Sequence, residues 1–291
     1  MQADLLTKVI FPVALFFIMF GIGLSIRPFD FKNIITSPKM VAIGLCAQML
    51  LLPLIAFSLA IVFALPPEIA VGLIIIALAP GGATSNMFSY LYKGDVSLSI
   101  TLTAIASLIT PFSIPFLADL SMNYFITSNA EFSLPIGKTI VQLLVITVIP
   151  VALGMFVLAY FENFAKKIES IFKWLSIAFL AFLIVLFVLR NAENMLSFFA
   201  QSGLATLSLN IIALIVGYQL AKIARLSHPQ SITIGFEVGI QNGALAMAVA
   251  GTLIGNNVMM IPAVTYSLTM LFSGALFGWL MNKEINEVRS E

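Results

Sequence analysis

The sequence predicts an all-α polytopic membrane protein, and three observations carry that prediction. Of 291 residues, 60% are hydrophobic and 9% charged, with a mean hydropathy of +1.08; a soluble domain carries about a quarter charged residues. The few charges punctuate apolar runs close to the ~20 residues that a helix needs to cross the hydrocarbon core. Lysine and arginine are spread unevenly over alternate connections, as they are on the two sides of a membrane.

Residues 9–26 (VIFPVALFFIMFGIGLSI) form the first predicted span. The run is long for a signal-peptide core, lacks a small-x-small cleavage site and is followed by Arg27 and Lys32, so it reads as a retained helix. Further spans are expected near 40–64, 69–92, 96–118, 136–160, 171–189, 203–224, 229–254 and 259–282, nine in all. The third (AVGLIIIALAPGGATSNMFSYLY) is interrupted at Pro80-Gly81-Gly82, where a backbone donor is missing and the chain is free to leave helical geometry. Thr84, Ser85 and Asn86 are then placed to cap a second half-helix. The eighth (ITIGFEVGIQNGALAMAVA) is loosened by Gly239 and Gly243 around Ile240, Gln241 and Asn242. Among the links only 119–138 is long enough for a structured loop. No linker divides the chain into soluble domains.

Eleven lysines and arginines fall on one set of alternate loops (Arg27, Lys32, Lys39; Lys93; Lys166, Lys167, Lys173; Lys222, Arg225; Lys283, Arg289) and three on the other (Lys8, Lys138, Arg190). The imbalance puts the N-terminus outside and the C-terminus in the cytoplasm, which requires an odd number of spans. Spans 1–4 then pair with spans 6–9 in opposite orientation, and the two interrupted helices fall at corresponding places. In lipid, unwound backbone is tolerated only where it is buried in protein or lines a wet cavity. Paired interruptions of this kind point to a transporter's binding site near the bilayer midplane.

Glu237 is the only charged residue between Arg225 and Lys283, and the only one of 13 acidic residues placed well inside a span. A charge there costs at least ~2.5 kcal/mol and is by default functional. No lysine or arginine within a span is available to pair with it. A protonated glutamate bonded in a bundle core, a proton-coupled carboxylate and a Na+ ligand all satisfy that constraint. Ser85, Asn86, Ser99, Thr103 and Gln48 offer neutral oxygens in otherwise apolar spans, with Ser99 and Thr103 on one helix face. One carboxylate among neutral oxygens suits a monovalent hard cation. Gly235, Gly239 and Gly243 also form a small-xxx-small stripe that lets helices approach, but packing does not account for Glu237, Gln241 and Asn242 beside it. Ser, Thr and Asn within 201–210 read as hydrogen bonding along a helix, and Thr265, Tyr266, Ser267 and Thr269 as residues able to line a cavity.

The composition excludes other classes. Cys46 is the only cysteine and His228 the only histidine, so neither a disulfide framework nor a Cys/His metal site can be built within one chain. Without a nucleophile–base pair an enzyme is not supported. A net charge of +1 with no basic stripe argues against nucleic acid. No feature calls for an obligate protein partner beyond the lipid bilayer.

The stretches FIMFGIGLSIRPFDF, Ala47-Gln48, APGGATSNMFSYLYKGDVSLSITLT and FEVGIQNGALA resemble the bile acid:sodium symporter family over nearly the whole chain. The resemblance implies nine or ten helices in an inverted repeat, with a panel domain and a core domain meeting at a cleft and two broken helices crossing in the core. Because the first span matches the family's second helix, this chain resembles the nine-helix form. Its panel would be the spans near 9–26, 136–160 and 171–189, and its core those near 40–64, 69–92, 96–118, 203–224, 229–254 and 259–282. Two Na+ sites are implied. One falls on Ser85, Asn86, Ser99, Thr103 and Glu237, the other on Gln48, Glu237, Val238, Ile240 and Gln241. An organic anion, a bile acid or a smaller carboxylate, would bind in the cleft, with Asn242, Asn86, Thr84 and Thr269 as candidate contacts. Ala83-Thr84 stands in swapped order relative to relatives that read GGTASN, and Thr269-Met270-Leu271 replaces a more polar pair of some bacterial relatives; both differences leave the Na+ positions intact. The expected activity is Na+-driven symport across the inner membrane. The alternative is a proton-coupled or uncoupled organic-anion exporter, whose arsenite-handling variant uses a cysteine at a helix break, where Cys46 does not lie. A receptor without flux has no supporting feature.

Overall fold

The computed structural model describes residues 9–126 and 134–288. Its elements are helical: α1 (Phe11–Gly23), α2 (Pro38–Val62), α3 (Pro67–Ala77), α4 (Ala83–Leu91), α5 (Val96–Phe125), α6 (Ile136–Tyr160), α7 (Glu162–Arg190), α8 (Met195–Ile223), α9 (His228–Gly239), α10 (Gly243–Ile254) and α11 (Ile261–Val288). By length and composition α2, α5, α6, α7, α8 and α11 can each cross a membrane, while α1, α3 and α10 are shorter apolar helices.

Local chemistry sets many of the starts. Proline stands in the first two positions of α1, α2, α3 and α9, where its missing N–H costs nothing. Asp95 caps α5 by accepting from the Leu98 N–H at 3.0 Å. Ser227 and Gln230 form a reciprocal capping box at the start of α9.

Several expected boundaries move, among them the start of α8, at Met195 rather than near 203, and the end of α11, at Val288 rather than 282. Helix α5 continues to Phe125, so the first part of the expected 119–138 loop is helix; residues 127–133 lie outside the described residues. Asp119 lies within the helix, its carboxylate accepting from Asn123 four residues on, at 3.1 Å. Helix α7 starts at Glu162 rather than near 171, its first turn stapled by a Glu162–Lys166 ion pair at 2.9 Å. Charges taken as the edges of spans miss helix that projects beyond the apolar run.

Helices α1, α6 and α7 pack on one another. The α1–α6 approach is backbone-close, since a Cβ added to Gly154 would strike the Phe20 carbonyl. Elsewhere α8 packs on α9 and α11, and α3 on α2, α5 and α11. Ile69–Ala77 of α3 and Ser231–Gly239 of α9 are buried throughout. The interrupted helices are therefore wrapped in protein, which is where unwound backbone can persist.

Candidate functional site

Helix α3 ends at Ala77 and α4 begins at Ala83; α9 ends at Gly239 and α10 begins at Gly243. The two gaps lie against each other. The Asn242 N–H donates to the Ala79 carbonyl at 2.9 Å, and Pro80 and Gln241 form an isolated antiparallel bridge. Gly81 permits this approach, because a Cβ there would sit 2.5 Å from the Ile240 carbonyl oxygen and 2.6 Å from Ser85 Oγ. Each break thus supplies the other with hydrogen bonds that a continuous helix would have made internally.

The expected capping of α4 by Thr84, Ser85 and Asn86 is not what forms. The cap position is Gly82, without a side-chain bond, and the three residues occupy the first turn. Their side chains are engaged elsewhere. Ser85 Oγ donates to the Gly82 carbonyl at 3.0 Å and stands against the Glu237 carboxyl group. Asn86 Oδ1 lies 2.7 Å from Ser99 Oγ and 3.4 Å from Thr103 Oγ1, and competes with Glu237 for their hydroxyl protons. At the second break Asn242 does cap, its Oδ1 accepting from the Leu245 N–H at 3.0 Å.

Glu237 sits on the last turn of α9, 4% exposed. Ser99 Oγ donates to its Oε1 at 2.6 Å and Thr103 Oγ1 to its Oε2 at 3.0 Å, so the one-face spacing on α5 delivers both hydroxyls to one carboxyl group. Among the described residues no lysine or arginine forms an ion pair with it. Ser85, Asn86, Ser99, Thr103 and Glu237 are thus brought together, from α4, α5 and α9. A second polar group adjoins them. Gln48 and Gln241 exchange amide hydrogen bonds at 3.1 and 3.2 Å, and Gln241 Nε2 also donates to the Val238 carbonyl at 2.8 Å. Gln48 lies in a π-turn of α2, Ala47–Leu51, a local widening often found at functional positions. The Ile240 carbonyl faces Gly81 in the same break.

Two residues that the sequence did not single out hold this arrangement. The Gly239 carbonyl, left without a helical partner, accepts from Asn210 Nδ2 at 2.6 Å and from Tyr266 Oη at 2.8 Å. Ser273 Oγ in turn donates to Asn210 Oδ1. Asn210 looked like ordinary helix-face hydrogen bonding, and Tyr266 like one of four possible cavity residues. The glycine stripe packs as well, with Gly235 and Gly239 against Leu214 and Gly243 against Ser267.

A cleft of about 490 Å³ opens between α1, α6 and α7 on one side and α4 and α5 on the other. Asn86 lies on its wall, and Arg27, Lys166 and Glu169 also line it. Arg27 reaches Glu162 at 3.5 Å. Thr84 and Asn242 line a separate small cavity of about 30 Å³, with Gln241 from the second break and Ser176 from α7. Thr269 stands apart from all of these. Its hydroxyl returns to the Thr265 and Tyr266 carbonyls at 3.1 Å each, and it lines an apolar groove between α8 and α11.

The chain matches a family model and is similar to proteins from bacteria, plants and animals. The family model for the Sodium Bile acid symporter family matches residues 12–198. The uncharacterized sodium-dependent transporter YocS of Bacillus subtilis (strain 168) is 32% identical over 276 residues, covering 93% of this chain and 82% of the relative. The probable chloroplastic sodium/metabolite cotransporter BASS1 of Arabidopsis thaliana is 28% identical over 271 residues, and sodium/bile acid cotransporter 4 of Homo sapiens 29% over 240. The chain spans 66% of the plant relative and 54% of the human one. The family match ends before α9, but the bacterial alignment covers nearly the whole chain. A helical fold with paired breaks around a buried carboxylate, joined to these matches, leads to one assignment: this chain belongs to the Sodium Bile acid symporter family, and is a multi-pass membrane transporter rather than an enzyme.

Proposed function

We propose that the chain is a Na+-coupled symporter of an organic anion that works by alternating access. The observation that carries this reading is Glu237, a buried carboxylate surrounded by neutral hydroxyl and amide oxygens at the junction of two broken helices. Ser85, Asn86, Ser99, Thr103 and Glu237 would hold one Na+, the hydroxyl protons that now point at Glu237 and Asn86 rotating away as the oxygens turn to the cation. Gln48, Gln241, Glu237 and the Val238 and Ile240 carbonyls would hold a second, with the Gln48–Gln241 pair opening to admit it. Hard cations take oxygen ligands of this kind, and unwound carbonyls at a break supplement them.

On this reading α3–α4 and α9–α10 each cross the membrane once, which makes nine crossings in an inverted repeat. Helices α1, α6 and α7 are the panel, and the remaining helices the core. The N-terminus is outside, and the protein resides in the inner membrane of a bacterial cell. The anion occupies the cleft beside Asn86 and reaches toward Thr84 and Asn242 at the junction; Arg27 and Lys166 supply positive charge along the wall. A volume of about 490 Å³ falls within the usual range for small-molecule sites. The family description and the human relative's name speak of bile acid, and the plant relative's name of a metabolite; these names support an organic cargo, which on this reading is a bile acid or a smaller carboxylate. Binding of Na+ would order the junction and complete the anion site, and the core would then move against the panel. Each inward elementary charge gains about 2.3 kcal/mol per 100 mV.

The test is thermal unfolding of the purified protein in NaCl against equimolar KCl, for the parent and Glu237→Gln. A ligand specific to the native state adds about 2.7 kcal/mol at a hundred times its Kd. Na+ should raise the parent's Tm and leave the variant unmoved. Identical curves in the two salts, with stabilisation on acidification, would instead make Glu237 a proton carrier and favour the exporter reading.

A further inference from the structure

The three helices that surround Glu237 repeat their polar contribution one turn away, toward the face that bears Lys93 and Arg225. On α4 Ser89 follows Ser85 by four residues; on α9 Thr233 precedes Glu237 by four; Asp95, the cap of α5, precedes Ser99 by four. Residues four apart on a helix share a face, so Ser89 and Thr233 lie under Ser85 and Glu237, and Asp95, just before α5 and capping it through its carboxylate, closes this second tier. Its members are in contact. Thr233 Oγ1 donates to the Asp95 carbonyl at 3.2 Å, and the Gly94 N–H donates to the Ser89 carbonyl at 2.7 Å. A Cβ added to Gly94 would lie 2.5 Å from Thr233 Oγ1 and 3.4 Å from Ser89 Cα.

Ser89 is the member that needs explaining. It is fully buried and its hydroxyl has no hydrogen-bond partner. Ser107, Ser121, Ser176 and Ser267 each return the hydroxyl to the carbonyl four residues back. Ser89 does not, although burying a polar group unpaired is unfavourable. A buried hydroxyl left free in this position is available to a ligand.

We propose that Ser89, Thr233 and Asp95 form a relay site through which a monovalent cation passes between the Glu237 cluster and the cytoplasmic face. The proposal rests on the Na+ reading of Glu237. Two hydroxyls, backbone carbonyls and, at the outer end, the half-buried Asp95 carboxylate give a chain of oxygens. Such a site has to bind well enough to admit the ion and weakly enough to release it; hydroxyls and carbonyls without a fully buried charge meet both needs. The anion cleft lies elsewhere. It is lined by Asn86 and Tyr90, another i,i+4 pair on α4, and Ser89 is not among its residues. Cation and anion therefore leave along different faces of one half-helix.

The experiment measures radiolabelled Na+ binding and dissociation on the purified full-length protein for the parent, Ser89→Ala, Thr233→Val and Glu237→Gln. Ser89→Ala removes an unsatisfied group, so its Tm should equal or exceed the parent's. Loss of a stepping stone raises the barrier in both directions and leaves the end states alone. Both relay variants should therefore keep Kd within about twofold while Na+ dissociates about fivefold more slowly. Parental dissociation rates in both variants would overturn the relay. A fall in Na+ affinity matching that of Glu237→Gln would overturn it too, by making Ser89 part of the equilibrium site. Absence of specific Na+ binding to the parent would overturn both the relay and the Na+ reading beneath it.

Discussion

Between α3 and α4 the chain leaves helical geometry at Pro80-Gly81-Gly82, whereas between α9 and α10 it does so at Ile240-Gln241-Asn242, with no proline. The first break is built from residues that cannot or need not stay helical, and its second half-helix has no side-chain cap. The second is built from residues that tolerate a helix and is held open from outside. Asn210 on α8 and Tyr266 on α11 take the Gly239 carbonyl, while Asn242 caps α10. A break of the first kind is set by local backbone chemistry. A break of the second kind depends on tertiary neighbours, and is the better candidate for one that reorders when a ligand binds. Gln48 and Gln241 sit at this second break, and Glu237 lies one turn before it.

Substitutions can separate the two kinds. The largest effect belongs to Glu237→Gln, which should abolish the Na+-dependent rise in Tm, a loss of about 2.7 kcal/mol when Na+ is at a hundred times its Kd. Next comes Gly81→Ala. Its Cβ would press on the Ile240 carbonyl and Ser85, so the two breaks must part, at a cost of about 2 kcal/mol and with weakened Na+ stabilisation in the same melting assay. At the second break Asn210→Ala should cost about 1–2 kcal/mol, since it removes one of the two donors to the Gly239 carbonyl while Ser273 Oγ keeps the Thr269 carbonyl as acceptor, and Tyr266→Phe about 1 kcal/mol. Because both serve one carbonyl, a double-mutant cycle followed by thermal unfolding should show coupling of at least about 0.5 kcal/mol; strict additivity would mean that the break is not held by this pair. Asn242→Ala removes the α10 cap, at a cost of about 1 kcal/mol, together with the proposed anion contact, so any change in anion uptake by proteoliposomes should exceed the change in Na+ affinity. The smallest effect is expected from Thr269→Val. Its hydroxyl serves only its own helix, so stability should shift by less than about 0.5 kcal/mol and anion uptake should be unchanged.

Much of the candidate site was legible in the chain. Glu237 stands out because a charge in an apolar run has few explanations, and Ser99 and Thr103 because four-residue spacing puts them on one face. Both donate to that carboxylate. Gln48 stands out as a polar residue in an apolar span, but its grouping with Gln241 was legible only through the resemblance to a family, since nothing local marks a glutamine 193 positions away as a partner. The π-turn that presents it, and those at Leu144–Val148 and Val249–Ile254, left no readable signal. Helix ends were misread where charged turns continue a helix past the apolar run, as at Asp119 and Glu162.

The sequence by itself determined that this chain is a helical membrane protein, that its third and eighth apolar segments are interrupted, and that a lone carboxylate lies beside the second interruption. These follow from hydropathy, from the backbone limits of proline and glycine, and from the cost of a charge in lipid, all of which act over a few neighbouring residues. Only the tertiary structure decided that the two interruptions pair with each other, that Asn242 caps whereas Thr84, Ser85 and Asn86 do not, and that Asn210 and Tyr266 hold the second break open. Those outcomes depend on which unsatisfied carbonyl or N–H meets which distant donor or acceptor once the helices have packed, and the spacing of residues along the chain carries no record of that encounter.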